Sequence, residues 1–230
     1  LDGQMMQEHP EFQLEHRRLL NLIEVKKSSI QLEGTELQLL DTYLPTVKQK
    51  DPYALTEQEA EVIDRLKQAF LHCEKLQAHM RFLLNKGGLY KVHNGNLLYH
   101  GCVPMNQDGT LRTVSVYGKT YRGKALYDVL DSYIRKGFFA LDQEEKERGK
   151  DIMWYIWTGP DSPLFGKDKM TTFERYFLAE KETHKEKKDV YFTLLEQEAA
   201  MDHILAEFGL SGETSHIING HVPVKYKDGE

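Results

Sequence analysis

The dipeptide Asn94-Gly95 lies between two short apolar runs, Leu89-Tyr90-Lys91-Val92 and Leu97-Leu98-Tyr99. Asn-Gly accepts the left-handed backbone that a two-residue turn requires, and between β-forming segments it is a strong hairpin signal. The second run leads directly into His100-Gly101-Cys102-Val103-Pro104. Far along the chain, Ser215-His216-Ile217-Ile218-Asn219 reads as another strand, ending at Gly220-His221-Val222-Pro223. Two strands therefore each deliver a histidine beside a glycine and close to a proline. Strand ends lie at the rim of a sheet, where ligands bind in layered folds. An imidazole placed there can aim a nitrogen at a metal, and the glycine admits close backbone approach. A purely structural role for both histidines fits the same pattern, and the motifs alone leave the two readings open. Two histidines also fall short of a hydrolytic dinuclear centre, which needs carboxylates to bridge ions about 3.5–4 Å apart.

The rest of the chain reads as short strands and amphipathic helices. Helical stretches broken at Pro10 are expected over residues 1–23, with Leu14, Leu19, Leu20 and Ile23 as apolar candidates. Ile30 and Leu32, then Leu37 and Leu39, alternate about Glu33-Gly34 and predict a second hairpin. Thr56 with Glu59 three residues on forms a capping box. From there Val62, Ile63, Leu66, Ala69, Phe70, Cys73, Leu76, Met80, Leu83 and Leu84 recur at three- and four-residue steps as far as Gly87-Gly88. This predicts one long helix with its apolar face in the core and with His72 and His79 on the surface. A strand is expected over 113–117, a helix over 123–136 stopped by Gly137, and helices over 144–157 and 194–208. The run TGPDSPLFGKDKMTTF between the last two is rich in turn formers and long for a plain connector, which points to function. The fold class is mixed α+β, with a helical and hairpin region over 1–88 and a second region over 89–230.

Composition narrows the function. A formal net charge of −6 lacks the basic footprint of a nucleic-acid binder, so no nucleic-acid partner is expected. No apolar run approaches the roughly 20 residues of a membrane span, and Leu1–Pro10 lacks the pattern of a secretory leader. With two cysteines, Cys73 and Cys102, in unrelated settings, a disulfide framework is not expected and a reducing cytoplasm is the simpler location. A small buried packing role is expected for Cys102.

The segments LLYHGCVP and HIINGHVPV resemble the fourth and last conserved blocks of calcineurin-like metallophosphoesterases. Within that superfamily, NGNLLYHGCVPM, DIMWYIWTGPDSPLFGKDKMTTFERYF, ETHKEKK and SHIINGHVPVK are similar to the class III fructose-1,6-bisphosphatases of Firmicutes, and the likeness covers essentially the whole chain. The resemblance implies part of a metallophosphoesterase β-sandwich flanked by helices, residues 89–230 being its C-terminal half and 1–88 an insert region. It further implies removal of the 1-phosphate of fructose 1,6-bisphosphate, a gluconeogenic step, at a dinuclear manganese centre. His100 and His221 would be ligands, to the same ion. Lys167, Lys169 and Arg175 would grip phosphate, with Arg175 stabilising charge on the transferred phosphoryl group; His184 is a further substrate-binding candidate. Asn219 would orient His221, and His216 would stand behind the ligands or serve the strand.

The family's earlier blocks have the forms Asp-x-His, Gly-Asp-x-x-Asp-Arg and Gly-Asn-His-Asp, and none of these occurs in this chain. The expectation is therefore a fragment, inactive on its own and prone to self-association through uncovered sheet edges and apolar faces. An alternative is a non-catalytic interaction or regulatory module with structural histidines. A third is a mononuclear site completed by Asp108 or Asp228.

Overall fold

The computed structural model describes residues 3–221. In chain order the helices are α1 (Gly3–Glu8), α2 (Glu57–Leu71), α3 (Glu74–Lys86), α4 (Gly123–Phe139), α5 (Gln143–Thr158), α6 (Thr172–Phe177) and α7 (Glu198–Glu207). The strands are β1 (Ile23–Glu24), β2 (Ser29–Leu32), β3 (Thr35–Gln38), β4 (Tyr90–His93), β5 (Asn96–Tyr99), β6 (Val114–Val116), β7 (Lys119–Tyr121) and β8 (Ile217–Ile218). The fold is mixed α+β, and its described residues divide into two compact units.

The first unit comprises residues 3–8, 14–87 and 171–185. Strands β1, β2 and β3 form an antiparallel sheet with Ile30 opposite both Ile23 and Leu37. Leu19, Ile30, Leu39 and Leu178 make its small core, and Leu39 bridges to Leu178 just beyond α6. The same segment is anchored by a buried fork. Arg17 Nη1 and Nη2 donate to Glu174 Oε1 and Oε2 at 2.5 and 3.0 Å, and Glu174 is 1% exposed. Both carboxylate oxygens are thus satisfied, which a buried charge requires.

The capping box forms: the Glu59 backbone N–H donates to Thr56 Oγ1, and the Glu59 carboxylate accepts from the Thr56 backbone. The expected single helix is instead two, broken where Cys73 takes an extended conformation. Its apolar face is not in the core either. Val62, Leu66, Phe70 and Leu83 are 52–63% exposed, and Leu84 is the buried residue of the pair. Periodicity reports that a helix face is built for a partner; it does not say that the partner lies in the same chain. His72 and His79 are exposed, as expected.

The second unit comprises residues 9–13, 88–170 and 186–221 among those described. Strands β4 and β5 form the expected hairpin, with Val92 opposite Leu97 and positive φ at both Asn94 and Gly95. Strand β8 adds to β5 in parallel, Leu97 opposite Ile217 and Leu98 opposite Ile218. The core beneath holds Leu97, Tyr99, Cys102, Met105, Tyr127 and Ile204. Phe12 is fully buried here, stacked on Tyr155 with ring centroids 4.7 Å apart.

Gly137 does not stop α4, which runs on to Phe139. It marks a helix crossing. A Cβ at Gly137 would meet the backbone of Gly149 and Lys150 on α5, and a Cβ at Gly149 would meet the Gly137 backbone and the Tyr133 carbonyl. The two glycines let α4 and α5 touch backbone to backbone. Strand β7, which pairs with β6, was not expected, and α7 begins at Glu198 rather than at 194.

Candidate functional site

Parallel pairing of β5 with β8 brings both histidine-bearing strand ends to one rim. The chain leaves β5 at His100, whose carbonyl accepts from the backbone N–H groups of Gly220 and His221 at 3.1 and 2.9 Å. This crossing places His221 Nδ1 3.1 Å from His100 Nε2, the rings nearly perpendicular at 75°. Burial first, and then the neighbouring His100 and Lys167, push the His221 imidazole below its ordinary pKa; a hydrogen bond to the Phe165 backbone works the other way. Its neutral form, the one that ligates a metal, is thereby favoured.

The pair is supported from below by a polar relay. Asn219 Nδ2 donates to the Gly101 carbonyl at 2.9 Å and to the Tyr191 hydroxyl at 3.1 Å. The Tyr191 and Tyr99 hydroxyls are 2.8 Å apart in the core. Burial pushes the Tyr191 phenol up to about 12, so the hydroxyl stays protonated. Asn219, two residues before His221, is therefore tied to Gly101, the residue after His100. Tyr99 and Tyr191 were missed in the sequence. Tyr99 looks like an ordinary alternating strand residue, and Tyr191 lies in a 3-10 turn with no motif around it.

The two glycines next to the histidines differ. A Cβ at Gly101 would meet the Pro163 and Leu164 carbonyls, whereas a Cβ at Gly220 would meet nothing within 4 Å among the described residues. Gly101 is thus needed for the approach of the 163–164 loop, whose Pro163 carbonyl accepts from Cys102 N–H at 2.9 Å. Cys102 is fully buried, and burial pushes its thiol pKa up, so it is a packing residue as expected. Arg112 locks the same loops: it pairs with Asp161, lies 3.3 Å from Asp189 Oδ2, and donates to the Met105 carbonyl at 2.7 Å.

Lys167 sits on the loop after Gly166, its Nζ 2.8 Å from Glu186 Oε2, and its charge is felt at His221. Lys169 follows on the same loop. Arg175 and His184 lie in the first unit. There Arg175 Nε donates to Thr171 Oγ1 at 3.1 Å and Nη2 to the His184 carbonyl at 3.0 Å, while His184 Nε2 lies 3.0 Å from the Leu178 carbonyl. His216 opens β8: its N–H donates to Asn96 Oδ1 at 3.1 Å, and its ring Nδ1 lies the same distance from that oxygen. Asp108 caps its own turn, accepting from Thr110 N–H and Oγ1 at 3.0 and 2.6 Å. Asp228 and the Val222-Pro223 pair after His221 lie outside the described residues.

Two nitrogens on adjacent corners of an octahedral ion, with bonds of roughly 2.1 Å, stand about 3 Å apart. The histidine pair matches that bite. Among the described residues no group of three or more His, Cys, Asp and Glu side chains could hold a metal. Two imidazoles so spaced could serve only as part of a ligand set.

The Firmicute fructose-1,6-bisphosphatase family model matches residues 1–230, and the chain belongs to that family. A class 3 fructose-1,6-bisphosphatase of Clostridioides difficile is 55% identical over 231 residues, covering 100% of this chain and 35% of the relative. Class 3 relatives from Clostridium acetobutylicum and Clostridium beijerinckii are each 50% identical with the same coverage. The chain thus spans about a third of the length of the curated relatives it matches. No solved structure gives a significant match.

Proposed function

We propose that this chain is one part of a fructose-1,6-bisphosphatase, a cytoplasmic gluconeogenic hydrolase, and that His100 and His221 are two imidazole ligands of its dinuclear manganese centre. The observation that carries the reading is the 3.1 Å approach of His221 Nδ1 to His100 Nε2 across paired strand ends. When bound, such a centre supplies an activated water and charge stabilisation for phosphate monoester hydrolysis. Manganese is a harder ion than imidazole prefers, and carboxylates from the remainder of the protein would redress that.

The chain's own residues have narrower tasks. His100 and His221 would each present one imidazole nitrogen to the ion. Asn219 holds their spacing through Gly101 and Tyr191. Lys167, whose charge together with that of Lys188 is felt at His221, is the first choice for a substrate phosphate. Lys169, Arg175 and His184 follow from the family likeness, with Arg175 assigned to the transferred phosphoryl group. A second reading, a non-catalytic module, is favoured by one observation: an N–H···N bond between the rings would satisfy both nitrogens without a metal.

In the whole protein, phosphate release from fructose 1,6-bisphosphate with manganese should fall at least a hundredfold on His221→Ala; unaltered release would overturn the assignment. This chain alone should release no more than its His221→Ala variant. Release by the chain that depended on both manganese and His221 would show a complete site and contradict the partial-site reading.

A further inference from the structure

Lys167 and Lys188 face each other across an isolated antiparallel bridge. The flanking bonds run from Asp168 N–H to the Lys187 carbonyl and from Asp189 N–H to the Gly166 carbonyl, both at 2.9 Å. The two lysines are therefore a non-hydrogen-bonded pair, the arrangement in which opposed side chains share one face and lie closest. Each ammonium also stands over a ring: Lys167 Nζ is 5.8 Å from the Phe165 ring centroid and Lys188 Nζ 5.7 Å from that of Phe192.

Like charges set directly opposite one another cost stability, and here one carboxylate answers two ammoniums. Glu186 Oε2 lies 2.8 Å from Lys167 Nζ, whereas Lys188 makes no ion pair among the described residues. Two cations and one carboxylate leave one net positive charge on this face, and Lys188 is exposed to solvent. The face adjoins the histidine pair: the backbone of Phe165, two residues before Lys167, hydrogen-bonds His221, and both lysine charges are felt there. Among the described residues no hydrogen bond joins either ammonium to the His100 or His221 ring. The cations thus stand to one side of the nitrogens that would face a metal, where a second, unreacting phosphate would lie.

We propose that Lys188, together with Lys167, clamps the substrate phosphate that is not hydrolysed, and so selects a doubly phosphorylated sugar over a monophosphate ester. The proposal rests on the reading of His100 and His221 as metal ligands. A phosphate between the ammoniums relieves their repulsion and accepts a charge-assisted hydrogen bond from each. A grip on a group that does not react is equal in the ground and transition states, so its loss shows in KM.

Titration of the metal-free chain with inorganic phosphate, followed by amide NMR shifts, tests the clamp apart from the metal. Lys188→Ala should weaken binding about tenfold, the worth of a hydrogen bond to a charged group, and Lys188→Arg should restore most of it. Glu186→Gln removes the competitor for Lys167 and should tighten binding. No shift at Lys167 and Lys188 in the wild type, or equal binding by Lys188→Ala, would overturn the proposal. In the whole protein with manganese, Lys188→Ala should raise KM for fructose 1,6-bisphosphate about tenfold more than for p-nitrophenyl phosphate, which carries one phosphate. An equal loss for both esters would overturn the assignment to the unreacting phosphate. If His221→Ala leaves hydrolysis of both esters intact, the metal-ligand reading fails, while the phosphate titration still decides the clamp.

Discussion

His221 Nδ1 lies 3.1 Å from His100 Nε2, although the two residues are 121 apart in the chain. Neither histidine is brought there by its own side-chain preferences. Strand β8 pairs in parallel beside β5, and the backbone after β8 then donates twice to the His100 carbonyl. The site is a product of sheet register, so changes that loosen the two strand ends should act on the histidines without touching them.

Tyr191→Phe is the cleanest such change. It removes one hydroxyl from the relay of Tyr99, Tyr191 and Asn219 and keeps the ring in the core. Because Tyr191 acts through Asn219 and not on a histidine ring, its loss should weaken metal binding severalfold, while the two lost hydrogen bonds, to Tyr99 and Asn219, cost about 1–3 kcal/mol of stability. Calorimetric titration with nickel(II) should show the weaker affinity with a fold that remains cooperative. Unchanged affinity in Tyr191→Phe, alongside a loss in His221→Ala, would remove Tyr191 from the account.

Gly149→Ala should destabilise the second unit. Alanine is the better helix former by about 1 kcal/mol, but its Cβ would meet the Gly137 backbone, and overpacking at a fixed contact costs about 1–3 kcal/mol. Backbone cannot rotate away as a side chain can, so the clash should win. Urea unfolding should show a lower midpoint; an unchanged or raised midpoint would mean that α4 and α5 do not cross this closely.

The Asn94-Gly95 hairpin, the capping box and both histidine-bearing strand ends were legible in the sequence because each is local: a turn, a cap or an alternating run. What escaped was non-local. Nothing near Ile217 announces that it pairs in parallel with Leu97, and nothing near Tyr191 announces a hydroxyl beneath the site. Gly137 was misread for a related reason. A glycine late in a helical pattern has the same local signature whether it ends the helix or lets another helix cross it. The α2–α3 face was read correctly as apolar and wrongly as buried, because periodicity carries no information about where the covering surface comes from.

The two thiols should behave differently. Cys73 is exposed and Cys102 is buried, with burial pushing its thiol pKa up. Thiolate is the reactive form, so native labelling at pH 8 should spare Cys102, and any label that enters should map to Cys73. Unfolding should release the second thiol. Native labelling of Cys102 at the rate of a free cysteine would contradict the packing seen around it.

Thr56→Ala should cost the start of α2 about 1 kcal/mol. The partner group gives this contribution a pH signature. Hydrogen bonds from Thr46, then from the Thr56 backbone and hydroxyl, hold Glu59 below the ordinary carboxylate range. A lowered folded pKa means stabilisation that is present above the unfolded value and lost as pH falls through the folded one. Helicity of the wild type and of Thr56→Ala should therefore differ at pH 7, and the difference should narrow in acid below the normal glutamate pKa without vanishing, because the bond from Glu59 N–H to Thr56 Oγ1 does not titrate. A difference that persists unchanged into acid would separate the cap from Glu59.

The most direct measurement is nickel(II) titration of this chain and of His100→Ala and His221→Ala, since imidazole holds nickel more tightly than manganese. The account predicts one ion per chain, weakly bound, with binding lost in either variant. No binding by the wild type, or binding that survives both substitutions, would show that the histidine pair is not part of a metal centre.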